Sequence, residues 1–161
     1  MGLVVVDGGI AAPEFGGHRL ALVDGLLHVD GTEHPLTTFG EACALAGVDP
    51  SAELPPALNI AGDTAAEISV DRDAFDTLVD WYALCQSLLK SLAELMTTDE
   101  NPTEIQLWPE HFDVALEGGT EPARATYGGS PGDTYFSEPY LYVGPFQARN
   151  GEFWNTEFGR R

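Results

Sequence analysis

The sequence predicts an α+β fold: an antiparallel sheet packed against one long central helix, with a short N-terminal β-meander and a short helix ahead of it. Three observations predict it. Two Asp-Gly pairs, at 24–25 and 30–31, punctuate short apolar runs near the N-terminus. One long amphipathic segment, DRDAFDTLVDWYALCQSLLKSLAELM, occupies the middle of the chain. After residue 104 the chain returns to β-type runs whose connections are too short for helical crossovers, so those strands pair antiparallel.

The first 36 residues read as β. VVV at 4–6 is a short strand. In HRLALVDGLLHVDGTEHPL the two Asp-Gly pairs fit two-residue type I′ hairpins, whose central residues both need positive φ. Their spacing predicts a meander of strands at 18–23, 26–29 and 32–35. Thr38 and Glu41 then form an S/T-x-x-E capping box, which satisfies two orphan N–H groups at a helix start. A helix over 39–46 follows, with Gly47 as its stop and Pro50 just beyond. Residues 50–63, with Pro50, Pro55 and Pro56, read as an irregular connector, and AEISV at 66–70 as one more strand.

The long helix is expected over 72–97, N-capped by Asp71 or Asp73. Phe75, Leu78, Tyr82, Cys85, Leu89, Leu92 and Met96 recur at spacings of three and four. A second stripe, Trp81, Leu84, Leu88 and Leu95, lies to one side, so the helix is expected to be buried on more than one side. The first stripe keeps heptad spacing, which makes a coiled-coil dimer the rival. The two stripes together are wider than a coiled-coil seam. The closing strands are expected at 104–117, 123–128 and 139–145, with Pro109 at an edge or a bulge because it cannot donate to a ladder.

A chain of 161 residues suits a single domain over 1–161. It holds 26 acidic residues against seven Lys and Arg, for a net charge of −19. Such a surface repels phosphate backbones and anionic lipid, which argues against nucleic acid and membrane as partners and leaves a small molecule or a protein. The acidity reads most simply as solubility, with adaptation to a salt-rich cytoplasm as the rival. Cys43 and Cys85 fall among apolar neighbours and read as buried thiols. There is no basic, apolar leader and no run of 18 apolar residues, so a cytoplasmic protein is expected.

The candidate site starts from WPEHFDVAL, residues 108–116. With 110–117 taken as extended, His111 and Asp113 share one face, while Glu110, Phe112, Val114 and Leu116 share the other. An i, i+2 His/Asp pair can share one divalent metal ion, or the carboxylate can orient the imidazole. The plainer reading is a histidine bonded to its neighbour on a half-exposed strand. The 127–138 stretch, with GGSPGD at 128–133, reads as a tight loop in which Asp133 braces the turn, and whose backbone N–H groups could receive an anion. It is neither a P-loop nor a Gly-x-Ser-x-Gly elbow, so Ser130 is a poor nucleophile. Tyr140 and Tyr142 share a strand face and form an aromatic wall. The expected ligand-binding set is Glu110, His111, Asp113, Tyr127, Ser130, Asp133, Glu138 and Tyr140. His111, Asp113 and Glu138 are the candidates for acid–base work, and His111 with Asp113 for a divalent metal.

LWPEHFDVAL, YGGSPGDTYFSEPYLYVGPF and the late FWNTEFG resemble a bacterial family common in high-GC Gram-positive genomes, whose members pair a WPEHFDLA-like strand with a YGASPGD…EPYLYVGPW segment. GGIAAPEF and HPLTTFGEA are similar more loosely. Phe146 stands where the family carries Trp. The resemblance implies an additional N-terminal element before the first strand, and it implies no activity. Three functions therefore stay open at this point. One is a binding module using a cleft between 104–117 and 127–138. The second is a metal-assisted or acid–base enzyme built on His111 and nearby carboxylates. The third is a structural or interaction domain whose motifs serve only its fold.

Overall fold

The computed structural model describes residues 2–14, 16–49, 63–149, 151 and 154. Its class is α+β: among these residues there are two antiparallel sheets, one long helix and a short one. The internal contacts divide the chain into two compact units, Met1–Asp80 and Trp81–Arg161. The connector expected at 50–63 lies almost wholly outside the described residues.

In the first unit, β1 (Val4–Val6), β2 (Gly9–Ala11), β3 (Leu20–Val23), β4 (Leu26–Val29) and β5 (Thr32–His34) form a meander in chain order. Asp24 and Gly25 have φ of 50° and 70°, and Asp30 and Gly31 have 51° and 83°. Both pairs thus adopt the left-handed geometry that a two-residue hairpin requires. A third Asp-Gly, at 7–8, turns β1 into β2, a strand the sequence did not lead us to expect. Three residues of Gly-Ile-Ala are too short and too plain to read as a strand alone. The Asp30 carboxylate also ties the meander, accepting from the Arg19 backbone N–H (2.9 Å) and meeting His18 Nδ1 at 2.8 Å. Those two contacts, the backbone one first, hold its pKa below the ordinary value.

The short helix α1 spans Phe39–Leu45, and Thr38 caps it by accepting from the Glu41 N–H at 3.2 Å. The Glu41 carboxylate turns instead to the Thr37 hydroxyl. Gly47, at φ 65°, ends the helix in a Schellman motif: its N–H reaches Ala44 O, and the Val48 N–H reaches Cys43 O at 2.8 Å. The expected strand at 66–70 is not formed. Only an isolated bridge joins Glu67 to Thr38.

The long helix α2 runs Arg72–Leu95, with Asp71 accepting from the Ala74 N–H at 3.0 Å as its cap. Of the main stripe, Phe75, Tyr82, Cys85 and Leu89 are buried and Leu78, Leu92 and Met96 half-buried, and Val79, outside that stripe, is buried as well. The second stripe departs from expectation: Leu84, Leu88 and Leu95 are 51%, 44% and 82% exposed. Leucine is among the strongest helix formers, so its presence on an outer face does not demand burial.

In the second unit, β6 (Gln106–Trp108), β7 (Asp113–Gly118), β8 (Ala125–Ser130) and β9 (Tyr140–Pro145) form a sheet in chain order. The expected strand 104–117 is therefore two strands and a turn. Phe112 donates its N–H to Trp108 O at 2.7 Å and sits at φ 58°, closing a four-residue loop over 109–112. Pro109 opens that loop, where its fixed φ fits and no ladder bond is lost. Gly128 and Gly129 belong to β8, not to a loop, and Gly132 is the glycine of GGSPGD with positive φ.

Two close approaches explain why β8 carries adjacent glycines. A Cβ on Gly129 would overlap Cys85 Sγ of α2, so the helix packs directly on that side of the sheet. A Cβ on Gly128 would lie 2.5 Å from Tyr142 Cζ, on the opposite side. Alternation along the strands then sorts the sheet. Val114, Leu116 and Gly129 share the helix side, and Leu107, Val114 and Leu116 are all but fully buried. Asp113, Ala115, Gly128 and Tyr142 share the other side.

Candidate functional site

The side of the sheet away from α2 carries a cleft of about 1090 Å³. The 109–112 turn contributes Glu110 and His111 to it, and β7 contributes Asp113. Thr126 and Ser130 come from β8, Asp133, Tyr135 and Phe136 from the connecting loop, and Tyr140, Tyr142 and Phe146 from β9 and its end. Of the eight residues expected from sequence, Glu110, His111, Asp113, Ser130, Asp133 and Tyr140 line this cleft. Tyr127 does not: alternation places it on the side of Gly129. Glu138 is exposed and lies outside the lining. Because 110–112 form a turn and not a strand, Glu110 reaches the same space as His111, against the face assignment made from alternation. Tyr142, Tyr135, Phe136 and Phe146 complete the wall. The sequence marked Tyr142 only as an aromatic partner of Tyr140.

The centre of the cleft is Asp113, 8% exposed. Tyr142 stands across Gly128 from β7, and the missing Cβ lets its ring cross β8 and its hydroxyl donate to Asp113 Oδ2. Asp113 Oδ1 is buried and has no hydrogen-bond partner among the described residues. Burial pushes the Tyr142 phenol far above its ordinary pKa of 10.0, and the hydrogen bond and charge of Asp113 push the same way. Tyr82 reaches the turn from α2, donating to the carbonyl of Phe112, and packs edge-on against the Phe112 ring at 6.0 Å. Its pKa too is raised, by burial first and then by the Asp113 charge. Both tyrosines therefore stay protonated and remain hydrogen-bond donors.

The loop from 131 to 139 is braced by Asp133. Its Oδ1 accepts from the N–H groups of Tyr135 (2.7 Å) and Phe136 (2.9 Å), and its Oδ2 accepts from the Tyr140 hydroxyl at 2.8 Å. Ser130, itself buried, accepts from the Gly132 N–H at 3.2 Å and also hydrogen-bonds the Tyr140 hydroxyl. Burial raises the Tyr140 pKa, the Asp133 contact adds to that, and the Ser130 contact opposes it. The rings of Phe136, Tyr140 and Tyr142 form a continuous wall, with centroids 5.6 and 6.3 Å apart. Phe146 closes one end under the guanidinium of Arg124, 5.8 Å from its centroid. Arg124 is itself held near Glu117, at 3.8 Å.

The lining thus offers three carboxylates, one imidazole and several aromatic faces, with no Lys or Arg among the lining residues. His111 and Asp113 gain no third ligand: among the described residues no group of three or more His, Cys, Asp or Glu could hold a metal ion. Among the same residues no helix is long and apolar enough to cross a membrane. Compared with models of protein families, with curated proteins and with solved structures, the chain matches none.

Proposed function

We propose that this protein is a binding module that holds a small molecule in the cleft beside Asp113, without transforming it. The observation that carries this is the convergence of two sequence-distant segments, the 109–112 turn and the 131–139 loop, on one concave, aromatic-lined space. Ligand sites are typically clefts of this kind, mostly apolar with a few placed polar groups, and of roughly 300–1,000 Å³. Binding is favoured over catalysis because the polar groups of the 131–139 loop and its flanks are already committed. Ser130, Asp133 and Tyr140 spend their hydrogen bonds holding the loop, and Ser130 has no base activating it in that network. The aromatic wall therefore comes pre-organised, which lowers the ordering cost of taking up a ligand.

Membership of the family with WPEHFD and YGxSPGD…EPYLYVGP motifs belongs to the same proposal. Those two motifs coincide with the turn and the loop that wall the cleft. A cytoplasmic protein that avoids nucleic acid also fits, since a charge of −19 repels phosphate at any distance that salt does not screen. The test is a ligand-observed NMR screen of a chemically mixed fragment library. Expected are hits that compete with one another for one site and are lost in a Tyr140→Ala, Phe136→Ala double variant. Hits that survive that variant, or a library without hits, would overturn the proposal.

A further inference from the structure

We infer that the cleft selects a cation: an organic ammonium ion with an apolar or aromatic body. This rests on the cleft being the ligand site. Asp113 is more than nine-tenths buried, yet it has one hydrogen bond, from the Tyr142 hydroxyl to Oδ2. Its Oδ1 has none. A carboxylate withdrawn from water and left half-satisfied is costly, and a donor that also carries positive charge offsets that cost most fully. Tyr142 cannot be that second donor, because its single O–H is already spent.

The rest of the cleft agrees in sign and in shape. Glu110 and Asp133 add two more carboxylates to the lining, which contains no Lys or Arg. An anionic ligand would meet three like charges. Tyr135, Phe136, Tyr140 and Tyr142 line the cleft with aromatic rings, whose quadrupoles attract ammonium groups, as the Phe146 ring already does the Arg124 guanidinium. Oδ1 is buried from solvent. The terminal torsion of an aspartate is broad and two-fold, so the carboxylate is free to turn an oxygen toward a ligand N–H. The ammonium then sits between Asp113 and the tyrosine wall, with its apolar body toward Phe136 and Phe146.

The experiment uses the whole chain, ¹⁵N-labelled, titrated separately with benzylammonium, benzyl alcohol and benzoate. These probes share a ring and differ in charge and donor. A charge-assisted hydrogen bond is expected to favour benzylammonium by about tenfold to a hundredfold over the other two, with shifts at 110–113 and 130–142. Asp113→Asn should abolish that preference, and a thermal melt establishes that the variant is folded. If the variant does not fold, the preference of the parent protein among the three probes decides the matter alone. Equal binding of the alcohol or of benzoate at the same residues overturns the cation assignment and leaves the cleft as a small-molecule site. A folded Asp113→Asn protein that keeps the preference overturns the role of Asp113. Shifts confined to residues outside the cleft overturn this inference together with the binding proposal on which it rests.

Discussion

A single side chain, Asp113, joins the fold of the second unit to its candidate site, and two adjacent glycines fit the two sides of the sheet around it. Gly128 clears the path by which Tyr142 crosses β8 to Asp113, and Gly129 clears the seat of Cys85. Tyr142→Phe keeps the ring and removes the donor, leaving both Asp113 oxygens without a partner. It should cost about 1–3 kcal/mol in urea unfolding, the range for a buried polar group left unsatisfied. A midpoint equal to the parent's would show that Asp113 reaches water in the native state. Gly129→Ala should cost about 1–3 kcal/mol through overpacking, because the new methyl meets Cys85 Sγ, a side chain too short to swing clear. A fully stable Gly129→Ala protein would show that α2 does not pack as closely as described. The sequence did single out the Glu-His-x-Asp cluster and the bracing role of Asp133, because polar residues at special loop positions are locally legible. It ends the expected strand at Gly128 and counts both glycines in the GGSPGD loop, and it could not show why strand β8 needs glycine at 128 and 129. That role depends on what stands over them from β9 and α2, and no local pattern encodes a cross-strand neighbour.

Among the elements, legibility follows how local the determining physics is. The I′ hairpins at Asp24-Gly25 and Asp30-Gly31, the Thr38 cap and the Gly47 stop were all readable, since each depends on a few adjacent residues. The 104–117 run reads as one strand because its apolar content continues across the turn, where the structure has two. Pro109 is the signal available: the sequence alone allows it an edge or a bulge, and the structure makes it the first residue of a hairpin loop. The two stripes of α2 were equally apolar in sequence, and only the sheet decides which is covered. The decisive position is Leu89, 5% exposed on the covered stripe, whereas Leu88 beside it is 44% exposed. Leu89→Ala is expected to cost about 2–5 kcal/mol, as for other large-to-small core changes. Leu88→Ala should stay within about 0.5 kcal/mol, as for surface substitutions. Equal urea midpoints for the two variants would reverse the assignment of the faces.

For the molecule as a whole, the buried acids make stability depend on alkaline pH. Burial raises Cys85 from 9.0 to about 11, and it raises Tyr82 and Tyr142 further above their ordinary 10.0. Groups held neutral in the folded state contribute stability that is complete below their unfolded pKa values. That stability is lost as pH rises, because only the unfolded chain then releases the protons. The thermal midpoint should therefore be flat up to about pH 9 and fall progressively through pH 11 and beyond. A midpoint unchanged across that window would show that these groups are hydrated in the native state. Kept neutral over the physiological range, Tyr142 holds its hydrogen bond to Asp113 and Tyr82 its bond to the Phe112 carbonyl, so the floor of the cleft keeps its shape. The central claim, that this cleft receives a small molecule, is tested most directly by a ¹H–¹⁵N correlation spectrum recorded with the tightest ligand from the fragment screen. Shifts are expected to concentrate at 110–113, 130–136 and 140–146. Shifts along Leu84, Leu88 and Leu95, or within the N-terminal meander, with the cleft residues unmoved, would contradict it.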